Sequence, residues 1–390
     1  MLRIPFSYIW RSLWARRLTT ALTVGGVALV VFVFAGVLML ARGLEATLVE
    51  TGSADNAIVL RRSATSELSS QVDRATADAL EAENGIGRAA DGRALLTREV
   101  VLVIDLYKKK SNDLGNVSTR GVSARALELR HGVRIIQGRP FQFGTHEIVV
   151  GKSIASQFKG ANLGAELTFG GDRWTIVGIM DAGGTGFDSE IWGDVDQFMQ
   201  AFGRPVYSSL TFRLADPAQF DQLKARLQAD PRFQYVELKH ERDYYREQSQ
   251  TLAKFIRILG LVVTIIFSFG AMIGAMITMY AAVANRTVEV GTLRALGFRR
   301  RSILGAFLVE AVVLALVGGA LGVALAAFLS FARVSVVNFQ SFSEIGFGFA
   351  LSPGIIRSAL VFAVVMGVVG GFLPAVRAAR LNIVNALRAS

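Results

Sequence analysis

Four stretches of this sequence stay apolar for longer than a buried helix of a globular core requires. Residues 19–41, 258–284 and 358–376 carry no charged side chain, and residues 303–332 carry one, Glu310. A hydrocarbon layer about 30 Å thick is crossed by roughly 20 helical residues, so each stretch is long enough to span a bilayer. The chain is 52% hydrophobic, with a mean hydropathy of +0.42, which agrees with a membrane protein. Spans are expected over 19–41, 258–284, 303–332 and 357–376. The first follows Arg3, Arg11, Arg16 and Arg17, as a secretory signal would. It outruns the roughly 7–15 apolar residues of such signals and no A-x-A site follows, which predicts an uncleaved span.

The net charge of +11 has a simple distribution. Residues 1–18 hold four Arg and no acid, 285–302 hold five Arg against Glu289, and 377–390 hold three Arg and no acid. These flanks account for the whole excess, since the remaining acids and bases cancel. Positive charge gathered beside spans marks the cytoplasmic face. Both termini and the 285–302 loop are therefore expected on the cytoplasmic side, with 42–257 and 333–356 outside. No basic surface is left over for nucleic acid. Cysteine is absent, which removes disulfides and thiolate metal sites from consideration.

Between the first two spans the pattern changes to that of a large α+β domain, 42–257. Strands are expected at 58–60, 100–106, 208–214 and 233–238, from their β-branched and aromatic content. Helices are expected at 66–83, with Leu68, Val72, Ala75, Ala79 and Leu80 on one face, and at 217–229. The second has Asp216 as N-cap, Pro217 at the first position, and Phe220, Leu223 and Leu227 on one side. This order gives β-α-β twice, in halves 42–130 and 205–240, around an inserted strand-rich subdomain, 131–204. The insert offers a strand at 147–150, a short helix from Ser153, and a hairpin of 166–169 and 173–180 about Gly170-Gly171-Asp172. A stalk helix, 241–257, runs on into the second span, Tyr245, Leu252, Ile256 and Leu259 sharing one face, and Leu40, Leu44 and Leu48 extend the first span in the same way. A continuous helix of this kind can carry displacement from bilayer to domain.

The loop 285–302 reads as a short amphipathic helix stopped at Gly297. Its residues Arg286, Glu289, Val290, Gly291, Leu293, Arg294, Ala295, Leu296 and Gly297, with Thr292 among them, match R-x-x-E-I/V-G-x-L-R-A-L-G. That pattern resembles the segment before the third span of MacB, LolC/LolE and FtsX-like permeases, which docks in a cleft of an ATPase. Pro374, Ala375, Ala378, Ala379, Ala386, Leu387 and Arg388 resemble the family's P-A-x-x-A-A-x-x-x-P-x-x-A-L-R ending, with Ile383 in place of its second proline. In the outer segment, Ile148-Val149-Val150-Gly151-Lys152 and Trp174-Thr175-Ile176-Val177-Gly178-Ile179 are similar to strands of the MacB-type periplasmic domain.

The resemblance implies a type VII ABC-transporter permease of the mechanotransmission class, without a fused ATPase. Its implied partners are a cytoplasmic ABC ATPase dimer, a second permease chain (homo- or heterodimer), membrane lipid, and optionally a periplasmic adaptor protein. The permease itself binds no cofactor under this reading, and ATP and Mg belong to the partner ATPase. Export of an amphiphile such as a lipid, lipoprotein, peptide or drug is the leading function. The alternatives are an FtsX-like regulator of a cell-wall hydrolase and a receptor or scaffold without ATP coupling.

Glu310 sits about two turns into the third span, where either a proton or substrate role or an ion pair with a neighbouring arginine is open; proximity to the interface favours the pair. Three G-x-x-x-G pairs, Gly270/Gly274, Gly318/Gly322 and Gly367/Gly371, predict close helix packing, within the bundle or across a dimer, rather than a substrate site. No enzymatic chemistry emerges. Gly151-Lys152-Ser153 lacks the earlier glycine of a phosphate-binding loop, His146 standing in its place. His131, His146 and His240 have no ligand spacing and read as surface or turn residues, and the acids of 42–257 read as a solvated face.

Overall fold

The computed structural model describes residues 17–130, 132–337 and 343–382. Each apolar run is helical: Arg17–Val49, Glu241–Ala284, Arg300–Ala327 and Pro353–Arg380. All four are long and apolar enough to cross a membrane, the third extended by a 3-10 turn, Phe328–Phe331. The fourth begins as its sequence dictates, with the Ser352 hydroxyl accepting from the Ile355 N–H and Pro353 in the first turn. The described residues fall into two units. A helical unit lies within 17–42, 254–332 and 349–382; an α/β unit comprises Gly43–Ala253 and Arg333–Gly348.

In the helical unit, small residues let backbones approach. A Cβ added at Gly318 would meet Val24 and Val27, and one at Gly322 would meet Ala28 and Val31. Gly367 and Gly371 face Ala311 and Ala315 of the third long helix in the same way. Gly270 and Gly274 differ, because a Cβ at either meets nothing within 4 Å. The second long helix packs through Gly260, Thr264 and Ser268. Gly270 and Gly274 lie roughly 200° and 240° around the helix from Ser268, on the other side.

The α/β unit is built on one ten-stranded sheet. Its strands are β1 (Asn56–Arg61), β2 (Leu96–Tyr107), β3 (Leu114–Val122), β4 (Arg134–Gly138), β5 (Glu147–Gly151), β6 (Glu166–Phe169), β7 (Asp172–Asp181), β8 (Glu190–Asp194), β9 (Ser209–Arg213) and β10 (Val236–His240). They run in the order β10-β1-β9-β2-β3-β8-β5-β7-β4, with β6 also on β7. Helix Arg74–Glu81 joins β1 to β2, and Phe220–Ala229 joins β9 to β10. β4 to β8, all within the inserted segment, continue this same sheet through parallel pairing of β8 with β3.

Local departures from expectation have local causes. The helix expected over 66–83 shrinks to Arg74–Glu81: Asp73 caps it by accepting from the Thr76 N–H at 2.7 Å, while the Val72 backbone pairs with Tyr207. β10 starts at Val236, because Asp230 and Pro231 set up a 3-10 turn first. The expected hairpin is present, with Gly170 and Gly171 both at positive φ, as a type I′ turn requires. The stretch 333–356, expected as a loop, contains a hairpin of β11 (Arg333–Val337) and β12 (Glu344–Gly348). It belongs to the α/β unit: Phe347 is buried, the Gly346 N–H donates to Ser189 Oγ at 3.1 Å, and Lys108 pairs with Glu344 at 2.6 Å.

Candidate functional site

The short helix of the 285–302 loop spans Thr287–Ala295. Gly297, at φ +92°, turns the chain into the third long helix. Val290 and Gly291 are buried, and Val290 packs in a cluster with Val283, Ile303, Phe307 and Ala378. Arg294 donates to the Ala379 carbonyl at 3.0 Å, and Leu293 is half-buried. The opposite face carries Val288, Glu289, Thr292, Ala295 and Leu296, all exposed, with Leu296 67% open. A helix held on one side and apolar on part of the other is suited to engaging a partner surface.

Arg286 belongs to the inward side. Its Nη1 donates to Glu310 Oε2 at 2.9 Å, both groups are buried, and the guanidinium lies 6.0 Å from the Phe307 ring centroid. The pair therefore ties the start of the short helix to the third long helix. Glu310 also lines a cavity of about 50 Å³ beside Thr23, Thr278, Met279 and Gly371, where the two threonine hydroxyls lie 2.8 Å apart. Such a space, lined in part by polar groups, can hold water. The tail from Ile383 through Ala386, Leu387 and Arg388 lies outside the described residues.

The α/β unit holds a second assembly, composed of acids that the sequence reading had placed on a solvated face. Glu67, Glu99, Glu190 and Glu241 are buried. Arg120, at the centre, donates to Glu67 at 2.7 and 2.9 Å, to Glu190 at 2.8 and 2.9 Å, and to Glu99 at 2.5 Å. Arg130 bonds Glu99 at 2.6 Å, lies 3.2 Å from Glu241, and stacks 4.3 Å from the Phe187 ring centroid. Trp192 Nε1 donates to Glu190, and the Ser209 hydroxyl to Glu67.

Burial acts to raise the Glu67 carboxyl, but the Arg120 charge and hydrogen bonds outweigh it and hold the group below the usual carboxylate range. At Glu241 burial wins over the more weakly placed Arg130, and the carboxyl is pushed up. Burial likewise raises the Tyr244 and Tyr245 phenols. No local pattern marks these acids, because their burial is decided by strands far apart in sequence.

Lys152, His146 and His240 have structural partners. Lys152 pairs with Asp181 and, at 3.2 Å, with Asp188. His146 meets the Trp174 ring edge-on, whereas His240 ends β10 stacked on Phe220 rather than lying in a turn. His131 lies outside the described residues.

Two family profiles match the chain: the MacB-like periplasmic core domain over residues 20–230, and the FtsX-like permease C-terminal region over 261–383. Similar curated proteins include the macrolide export ATP-binding/permease protein MacB of Agrobacterium fabrum, 28% identical over 328 residues, which are 76% of this chain and 48% of that protein. The protein of the same description from Nitrobacter winogradskyi is 27% identical over 398 residues, covering 94% of this chain and 57% of its own. The chain thus spans about half the length of the curated relatives it matches. A solved periplasmic region of MacB from Actinobacillus actinomycetemcomitans aligns with 53% of this chain and 94% of its own, at 13% identity and a TM-score of 0.38. The profile matches, not that superposition, carry the family assignment.

Proposed function

The chain belongs to the MacB/FtsX-like ABC-transporter permeases, membrane proteins with a periplasmic domain, and on that premise we propose that it works by mechanotransmission. ATP hydrolysis by a separate cytoplasmic ATPase dimer, which holds the ATP and Mg, presses on the Thr287–Ala295 helix of each of two permease chains in the inner membrane. The first two long helices then relay the motion to the periplasmic unit. The cargo is an amphiphile taken from the periplasmic side, of the chemical kind that a lipid, lipoprotein, peptide or macrolide-like drug represents. A periplasmic adaptor protein completes the route where export crosses an outer membrane.

The observation that carries this reading is the two-faced Thr287–Ala295 helix: pinned to the helical unit by Val290, Arg294 and the flanking Arg286–Glu310 pair, it leaves Val288 and Leu296 uncovered. The uninterrupted helices Arg17–Val49 and Glu241–Ala284 support the relay.

The test is Leu296→Asp, a change at an exposed site that leaves the fold intact and places a charge where an apolar contact is required. We expect at least a tenfold loss of ATPase co-purification, equivalent to about 1.4 kcal/mol. Undiminished co-purification, and transport equal to wild type, would overturn the docking role.

A further inference from the structure

Within the α/β unit, the segment leaving the first long helix folds against the start of the second beside a cavity of about 160 Å³. The approach is close: a Cβ at Gly52 would stand 2.8 Å from backbone atoms of Glu241 and Arg242, and the Ser53 N–H donates to Glu241 Oε2 at 2.9 Å. The cavity's lining runs from Asn56, Arg130, Phe187 and Glu241, all buried, to Glu50 and Gly132, both exposed. At roughly 30 Å³ per water, the space holds about five waters or one small organic group.

Two acceptors in this lining have no hydrogen-bond partner. Asn56 Nδ2 donates to Glu241 Oε2 at 3.0 Å and to the Leu129 carbonyl at 3.3 Å, which leaves Asn56 Oδ1 buried and unbonded. Glu241 receives both of its hydrogen bonds at Oε2, and its Oε1 is likewise buried and unbonded. Arg130 Nη1 lies 3.2 Å from that Oε1 without alignment for a bond and, like Arg130 Nε, makes none. Buried acceptors in this state are costly, and none of the described residues supplies them with a donor.

Charge decides which donor suits them. Four buried carboxyls, Glu67, Glu99, Glu190 and Glu241, share two guanidiniums, Arg120 and Arg130, and Glu50 adds another acid at the cavity's exposed side. The two bonds at Glu241 Oε2 are donated to it and so favour its ionised form. Burial makes that form costly, and a cation at Oε1 offsets the cost. Arg130 does not fill this role, because its charge is already met by Glu99 at 2.6 Å. Water satisfies the acceptors but leaves the charge. A hard metal ion takes six or more oxygens, and the described residues hold no group of three acidic or histidine ligands. An ammonium group brings both the directional N–H donors and the missing positive charge.

We propose that this cavity binds a small primary-ammonium ligand, whose N–H groups donate to Glu241 Oε1 and Asn56 Oδ1. Occupation would then act where the end of the first long helix joins the start of the second. That consequence rests on the relay proposed above; the binding itself does not.

The test is saturation-transfer NMR on methylammonium with the full-length protein in detergent, since the methyl signal reports binding without reference to activity. The signal should saturate, and ammonium chloride should displace it where sodium chloride at the same ionic strength does not. Tetramethylammonium, which carries the charge without N–H donors, should give no saturable signal. Glu241→Gln keeps an oxygen acceptor for Ser53 and Asn56 while removing the charge, and should weaken methylammonium at least tenfold, equivalent to about 1.4 kcal/mol. Absence of a saturable methylammonium signal would mean that water alone fills the cavity and would overturn the site. Equal binding of tetramethylammonium, or undiminished binding in Glu241→Gln, would overturn it as well. Should that variant fail to fold, the wild-type comparison of methylammonium with tetramethylammonium decides alone. Binding is read on the permease alone, so failure to engage an ATPase would count against the proposed function and leave this result standing.

Discussion

Arg286 and Glu310 illustrate how far a single residue can be read. An acid inside an apolar run needs a neutralising partner, and that much is legible from Glu310 alone. Which arginine supplies it is not, because Arg286, Arg294, Arg299, Arg300 and Arg301 all lie nearby in sequence and only the turn of a short helix selects one. The family motif places Arg286 among docking residues, yet its side chain points inward to Glu310. Removing one member of a buried pair strands the other, at a cost of about 3–5 kcal/mol, whereas replacing both with apolar side chains is far less harmful. Thermal unfolding in detergent should show Arg286→Met and Glu310→Leu each strongly destabilised and the double variant largely restored. Strictly additive losses would mean that the pair does not couple.

Helix packing shows the same limit one level up. Three glycine pairs have identical spacing, but among the described residues of one chain only Gly318/Gly322 and Gly367/Gly371 meet a neighbouring helix, since spacing fixes a face and not what covers it. Gly371→Val forces a branched side chain against Ala311 and should cost about 1–3 kcal/mol, while Gly274→Val should leave the chain's own stability nearly unchanged. Equal melting losses for the two would contradict the packing described. Strands were legible where apolar residues alternate or run together, as at 100–106. β3 was missed, because its buried stretch sets the polar Ser118, Thr119 and Arg120 between Val117 and Val122, a composition that reads as loop until β2 and β8 flank it. The β11–β12 hairpin was missed for a related reason: its burial comes from the α/β unit and not from its own pattern.

For the whole molecule, the four spans were legible because hydropathy is a local quantity, whereas the continuity of the sheet is not. The arginine distribution predicts the orientation, which is open to direct measurement. A cysteine at exposed Ser111 should react with an impermeant thiol reagent in cells whose outer membrane alone is permeabilised, and one at exposed Ala295 only after the inner membrane is broken. The reverse pattern would invert the topology and remove the basis for ATPase docking. The parallel seam between β3 and β8 bears on how such proteins can be re-engineered. Glu190, one of the acids around Arg120, is delivered by β8 of the insert, while Arg120 is on β3 of the host. Exchanging residues 131–204 for a foreign cassette would therefore leave a guanidinium in the host's interior short of an anion, so a viable chimera must transplant the acid along with the strands.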